Sequence, residues 1–531
     1  MGPILAPLDH HAPTGLAHDI LPAVYQRRWR ILALLCLSLV VVVTAVSALN
    51  IAIPEIQRDT GASQTQVQWL IDAYALVFAG LLLLAGAIGD RFGRRGALQL
   101  GLVIFGTASM MAVLSDSANA LILARTVSGI GAAFVMPATL SIIITSFPPA
   151  ERPKAISIWA AFAGVGGALG PISSGLLLNH FWWGSVFLIN LPIVAVLLIG
   201  SVVILPTSKD PNGHALDLIG AVLSIVALGS FVFGVIEGPE RGWLDPVTLG
   251  GFVTGIAAGV AFVRYELSIK TPMLDPRLFR IRKFSAGSAI VTLAFFNAFT
   301  LFFLLTQYLQ FVKGYSPLKA GLGVVPNALA MIAVAPRGPQ IIGRFGVRRT
   351  LRFGFFVAAS GFLAFAFFTP TTPYVAIALA LVCNGCAMAV IVPSASQQIV
   401  AALPLSKAGV GSAVNDVTRE VGGALGIALG GSVVATVYRS RMRDFLDAPH
   451  HAVPEPFREI IEDSIGGAFR AAANAPKVGS NPSLIEATLD AARHAFTSGM
   501  HWAFGLTALT GFIAGWFLPR HLDDELPTRA H

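Results

Sequence analysis

The string VGGALG at residues 165–170 returns unchanged at 421–426, 256 residues later. It is not an isolated coincidence. Arg91-Phe92-Gly93 returns as Arg344-Phe345-Gly346, 253 residues on, and Gly129 and Pro137 return as Gly385 and Pro393 at the 256-residue offset. Three matches in the same order describe a duplicated chain. The solvent decides what is duplicated. Of 531 residues, 55% are hydrophobic and only 12% are charged, and the mean hydropathy is +0.73. Soluble domains carry about 25% charged residues. Apolar runs near bilayer length recur throughout, so the class is an all-helical polytopic membrane protein.

Fourteen spans are predicted, at about 31–53, 67–89, 97–115, 119–141, 155–178, 184–205, 216–236, 247–264, 284–311, 319–342, 351–369, 373–401, 409–437 and 498–518. The repeat offsets each carry a feature eight spans along. Two homologous six-span halves (31–205 and 284–518) are therefore expected around a two-span insert in 206–283, a six-plus-two-plus-six order. Residues 1–30 and 519–531 form the tails. Repeats of this kind are a transporter feature, with the substrate path between halves. Lys and Arg concentrate in the even-numbered connections, whereas the odd short ones hold only Arg58, Arg241, Lys313 and Lys319. By the positive-inside rule both termini are cytoplasmic, in the cell (plasma or inner) membrane. The segment 438–497 is then an extracellular loop, in which EPFREIIEDSIGGAFRAAA reads as a short amphipathic helix forming a solvated cap. The first 30 residues lack the apolar core and cleavage site of a removable signal peptide.

Several classes of function find no support. The net charge of +8 belongs to topology rather than to a nucleic-acid surface. No G-x-x-x-x-G-K-[ST] string is present, so ATP is not the expected driver. Cys383 and Cys386 read as small packing residues, and His180, His494 and His501 have no catalytic or metal-binding partners nearby in sequence. An embedded enzyme or receptor is the remote alternative. No cofactor is expected.

Charges inside the spans carry the functional signal, because they are costly there and usually face the bundle interior. Asp72 lies in span 2, roughly 8 Å from its outer end. Arg125, in span 4, enters from the same side, and Leu381 takes its place in the second half. Asp416, Arg419 and Glu420 share one face of span 13, with Asp416 roughly 10 Å from its inner end. Two readings stand for this trio: a cluster that opens or titrates during a cycle, with the 90–95 turn as partner, or a static ion-pair network. Asp72 likewise reads as a proton-exchanging acid or as part of a buried ion pair.

The loop between spans 2 and 3 reads Gly86-Ala-Ile-Gly89-Asp90-Arg91-Phe92-Gly93-Arg94-Arg95. It resembles the signature loop of the major facilitator superfamily. That resemblance implies a cytoplasmic gating latch made by Asp90 and Arg94, one-sided because Gly343 replaces the acid in the second half. Arg125 with Gly129 and Gly131 is similar to the family's fourth-helix arginine motif, which implies proton coupling. Gly166-x-x-x-Gly170-Pro171-x-x-Ser174-Gly175 looks like its antiporter motif, apart from Ser174, and implies export. NIAIP (50–54), WLIDAYALVFAG (69–80) and FLINLP (187–192) resemble the fourteen-helix drug/proton antiporter branch. Ala45 replaces the first-helix acid found in such proteins, leaving Asp72 as the main acid of the first half. The implied function is export of small amphipathic drugs in exchange for protons, by a monomer in the lipid bilayer. A dedicated exporter of one metabolite or self-made antibiotic is the alternative.

Overall fold

The computed structural model describes residues 21–148, 151–208, 217–270, 272, 274–403, 408–447, 453, 455–474 and 482–522. Every regular element among them is helical. The long helices are α1 (Pro22–Thr60), α2 (Gln64–Phe92), α3 (Arg94–Val113), α4 (Ala118–Ser146), α5 (Arg152–Leu178), α6 (Ser185–Ile204) and α7 (Leu218–Arg241). There follow α8 (Pro246–Ser268), α9 (Arg282–Val312), α10 (Pro317–Arg337), α11 (Val347–Phe365), α12 (Tyr374–Ala401), α13 (Ala408–Leu446) and α14 (Pro482–Phe517). Among the described residues, 12 helices are long and apolar enough to cross a membrane: all of these except α5 and α11. Arg348, Arg349 and Arg352 crowd the first turns of α11 and make it the more polar.

Local chemistry sets the helix ends. Ser63 accepts from Gln66 N while the Gln66 side chain bonds back, a capping box that starts α2. Asp217 and Asp245 cap α7 and α8 by accepting from their first-turn amides. Between α2 and α3 the chain turns at Gly93, with φ 128°, and before α11 it turns at Gly346, with φ 79°. Both repeated Arg-Phe-Gly strings thus end on a glycine in a conformation that side chains rarely adopt.

The repeated sequence becomes repeated packing. α5 lies on α1 as α13 lies on α9; α4 contacts α2 and α3 as α12 contacts α10 and α11. VGGALG makes these contacts close. A Cβ on Gly170 would lie 2.7 Å from the Ala48 amide nitrogen, and one on Gly426 would lie 3.0 Å from Phe296 Cα. Thr44 Oγ1 donates to the Gly166 carbonyl at 3.2 Å, and Thr300 Oγ1 donates to that of Gly426 at 2.8 Å. Gly170 therefore packs inside its own block of helices. The contact between blocks is made five residues on, where a Cβ on Gly175 would sit 2.8 Å from Leu318 Cα of α10.

The α1–α6 and α9–α14 blocks meet where α1 ends and α2 begins. Gln68 Nε2 donates to the Ala428 carbonyl at 3.2 Å, and Gln310 Nε2 donates to that of Ile51 at 2.9 Å. α7 and α8 pack on each other through Phe231 and Phe252, and α7 also lies against α2 and α13.

Segment 438–497 differs from its expected form. α13 continues to Leu446 and α14 begins at Pro482, because helices can extend past the apolar stretch that hydropathy detects. The amphipathic stretch forms two helices, Glu455–Asp463 and Ile465–Asn474, broken at Ser464, whose Oγ accepts from Gly467 N. It is docked rather than solvated. Ile461, Ile465, Ala468 and Ala471 are buried, Phe469 meets Phe311 at 5.2 Å, and Gly466 lies on Gln57 of α1. Burial pushes the Asp463 carboxyl above the usual aspartate range, while the Arg439 guanidinium and the Gln64 amide pull it down.

Candidate functional site

Asp72 is fully buried in α2, and neither carboxylate oxygen has a protein hydrogen-bond partner. Arg125 of α4 is 1% exposed and does not satisfy it. Its Nε donates to the Leu70 carbonyl at 3.1 Å, and its guanidinium carbon sits 4.5 Å from the centre of the Tyr74 ring. Gly129, one turn along α4, permits this approach, since a Cβ there would lie 3.3 Å from Tyr74 Cα. The expected Asp72–Arg125 pairing is thus absent in this conformation. The backbone carbonyl and an aromatic face take the guanidinium instead, both being available without desolvating a second charge.

The α9–α14 block solves the same packing problem without charge. Asn327 Nδ2 donates to the Leu381 carbonyl at 3.1 Å and to Asn384 Oδ1 at 2.9 Å. Gly385 lies against the Asn327 backbone, as Gly129 lies against that of Tyr74. A side-chain donor bonds to a neighbouring helix's carbonyl in both blocks, but only one donor is a cation. The polar residues of spans 10 and 12 were the available signal for this pair; the role of Tyr74 had none beyond its place in WLIDAYALVFAG.

Asp416, Arg419 and Glu420 are half-buried on α13. Arg419 lies 3.6 Å from Asp416 and 4.6 Å from the centre of the Phe295 ring of α9. α13 also packs against α2, the helix that carries Tyr74.

The turn after α2 is tied to its own block. Asp90 accepts from Arg94 Nε at 2.7 Å, Arg94 N donates to the Ser208 carbonyl at 2.9 Å, and Arg95 Nη1 to that of Leu205 at 3.4 Å. Arg91 leans over Phe92, and Gly86 faces Pro137 of α4. Among the described residues no ion pair joins this turn to Asp416, Arg419 or Glu420. Gly166, Gly170, Pro171 and Gly175 lie along α5: the first two face α1 and the last two face α10, where a Cβ on Gly321 would lie 3.0 Å from the Pro171 carbonyl carbon.

A buried acid and a buried arginine beside a seam between two repeated helical blocks call for comparison with known carriers. The family model described as Major Facilitator Superfamily matches residues 35–427. The chain belongs to the Major Facilitator Superfamily. It is a membrane transporter rather than an enzyme. It is 35% identical to the multidrug efflux pump LfrA of Mycolicibacterium smegmatis, over 89% of this chain and 92% of that protein. It is 34% identical to the methyl viologen resistance protein SmvA of Salmonella typhimurium, covering 88% and 93%. The tetracenomycin C resistance and export protein of Streptomyces glaucescens is 30% identical, covering 95% and 94%. Among solved structures, an inward-facing, unoccupied bacterial homolog to the human lysosomal transporter Spinster superposes with TM-score 0.61 at 18% identity, over 94% of this chain and 99% of that one. That likeness concerns the superfamily fold alone.

Proposed function

We propose that this superfamily member exports small amphipathic, drug-like compounds from the cell in exchange for protons, by alternating access. The observation that carries export is full-length similarity: the relatives named for efflux, resistance and export align over about nine tenths of both chains. Coupling is read from Asp72. An ionised carboxylate with no partner is costly in a low-dielectric interior, so Asp72 holds its proton while sealed and releases it when the helices part. Arg125, which reaches Leu70 and Tyr74 on either side of Asp72 in the α2 sequence, is the cation we assign to receive the ionised form. Asp416 and Glu420 provide a second acidic station on α13.

With α5 and α11 added to the twelve apolar helices, the chain spans the membrane fourteen times, as six plus two plus six. Both termini lie in the cytoplasm, on the arginine-rich side, and the protein works as a monomer in the cell (plasma or inner) membrane. The Asp90–Arg94 turn then lies at the cytoplasmic face as a gating latch, and the docked cap lies outside. A dedicated exporter of one compound is the second reading, favoured by the relative named for tetracenomycin C.

The test is a pH-dye assay in inverted, energised vesicles, with methyl viologen, puromycin and tetracenomycin C added in turn. Transport-linked proton release is expected to restore fluorescence only where the transporter is present. Accumulation of a compound with no proton movement would replace antiport with another driving force.

A further inference from the structure

Four parts of the molecule meet at the carboxylate that ends the first cap helix. Asp463 Oδ1 accepts from Arg439 Nη2 of α13 at 2.7 Å, and Oδ2 accepts from the backbone N–H of Gln64 at 3.3 Å. Gln64 is the first residue of α2, so the carboxylate sits where the helix dipole favours an anion. Arg439 Nη1 donates to the Pro239 carbonyl at 2.9 Å, in the last turn of α7, and Nη2 lies 3.8 Å from Glu240. Nearby Glu462 is engaged by Arg443 and Arg458, which leaves Arg439 to Asp463.

The cap is carried by α13. Tyr438 is buried, and its hydroxyl donates to the Ile461 carbonyl at 3.0 Å. Among the described residues, the contacts from cap and α13 to the first block include Gln64 N to Asp463, Gln68 to the Ile427 and Ala428 carbonyls, Gly466 seated on Gln57 and Arg470 over Gly61. A carrier that alternates has to break these to separate α2 from α13 at this end. The bond to Asp463 is the one among them made to a carboxylate, and that carboxylate is held in place by Arg439 at 2.7 Å.

We infer that Asp463 is the latch that closes this end of the transporter onto the start of α2, with Arg439 as its positioning residue. α7 has a part in it. The Pro239 carbonyl fixes the guanidinium that holds the latch acid, which gives the helix pair between the blocks a role in gating. The inference needs only that α2 and α13 part at this end during transport. It does not depend on proton coupling or on substrate.

The test uses full-length transporter in nanodiscs with Cys36, Cys383 and Cys386 replaced by Ala and Gln57→Cys as the reporter, since Gln57 is fully buried under Gly466. Asp463→Asn and Arg439→Gln are each expected to speed maleimide labelling of that cysteine about tenfold, equivalent to ~1.4 kcal/mol. The double variant should add little to the labelling rate, because both changes act on the same Arg439–Asp463 contact. Hydrogen exchange of the peptide around Gln64 should rise in parallel, and Asp463→Glu should restore slow labelling. Should Asp463→Asn fold poorly, Arg439→Gln and Asp463→Glu carry the test. Labelling and exchange unchanged in Arg439→Gln, or as fast in Asp463→Glu as in Arg439→Gln, would overturn the latch.

Discussion

Arg125 faces Tyr74, not Asp72: its guanidinium carbon lies 4.5 Å from the ring centre, and its Nε donates to the Leu70 carbonyl. An aromatic face holds a cation without neutralising it, so the arginine stays available to a carboxylate that ionises nearby. A desolvated cation–π contact is worth about 2 kcal/mol.

Loss of the ring should therefore matter more than loss of its hydroxyl. Tyr74→Phe is expected to keep export of the vesicle-assay compounds within about threefold, whereas Tyr74→Leu should lower it more than about tenfold. Arg125→Lys should resemble Tyr74→Leu, since an ammonium lacks the planar fork. Equal export by Tyr74→Phe and Tyr74→Leu would remove the ring from the account.

The paired glycines predict paired failures. Gly170→Leu and Gly426→Leu each force a side chain into the backbone of the first helix of their own block. Overpacking costs about 1–3 kcal/mol, so both variants should insert but lose several degrees of thermal stability and stop exporting. Gly167→Ala, with nothing within 4 Å of its added carbon, should be silent. Normal export by Gly170→Leu would end the argument for close packing.

Topology is checked at two exposed positions. Glu459→Cys on the cap should label from outside intact cells with an impermeant maleimide, and Gly343→Cys, before the second Arg-Phe-Gly turn, should not. The reverse pattern would invert the orientation. Gly479, in the same 438–497 segment, lies outside the described residues.

The sequence was most legible where one residue type has one physical use. Repeated glycines pointed to close helix packing but not to the partner, since Gly170 and Gly426 lie on the first helix of their own block rather than between blocks, and the Arg-Phe-Gly strings fall at two turns with positive φ. Partners across helices were not legible. Asp72 and Arg125 share depth and direction, yet a carbonyl and an aromatic ring one turn away compete for the arginine, and depth alone carries no information about them. Hydropathy also placed the ends of α13 and α14 too far inside the membrane, because polar residues such as Arg439 and Arg443 continue a helix beyond it. The docking of the cap depended on Ile461, Ile465 and Phe469 finding α1, α9 and α14, a long-range event with no local signature.

We propose that export runs on a proton carried by Asp72, buried and unpartnered in α2. Inverted vesicles allow uphill substrate accumulation under an imposed pH gradient to be compared with downhill exchange without one. Asp72→Asn is expected to abolish the first and leave the second measurable, and Asp72→Glu to retain part of the coupling. Full gradient-driven accumulation by Asp72→Asn would contradict the account and move the proton site to Asp416 and Glu420.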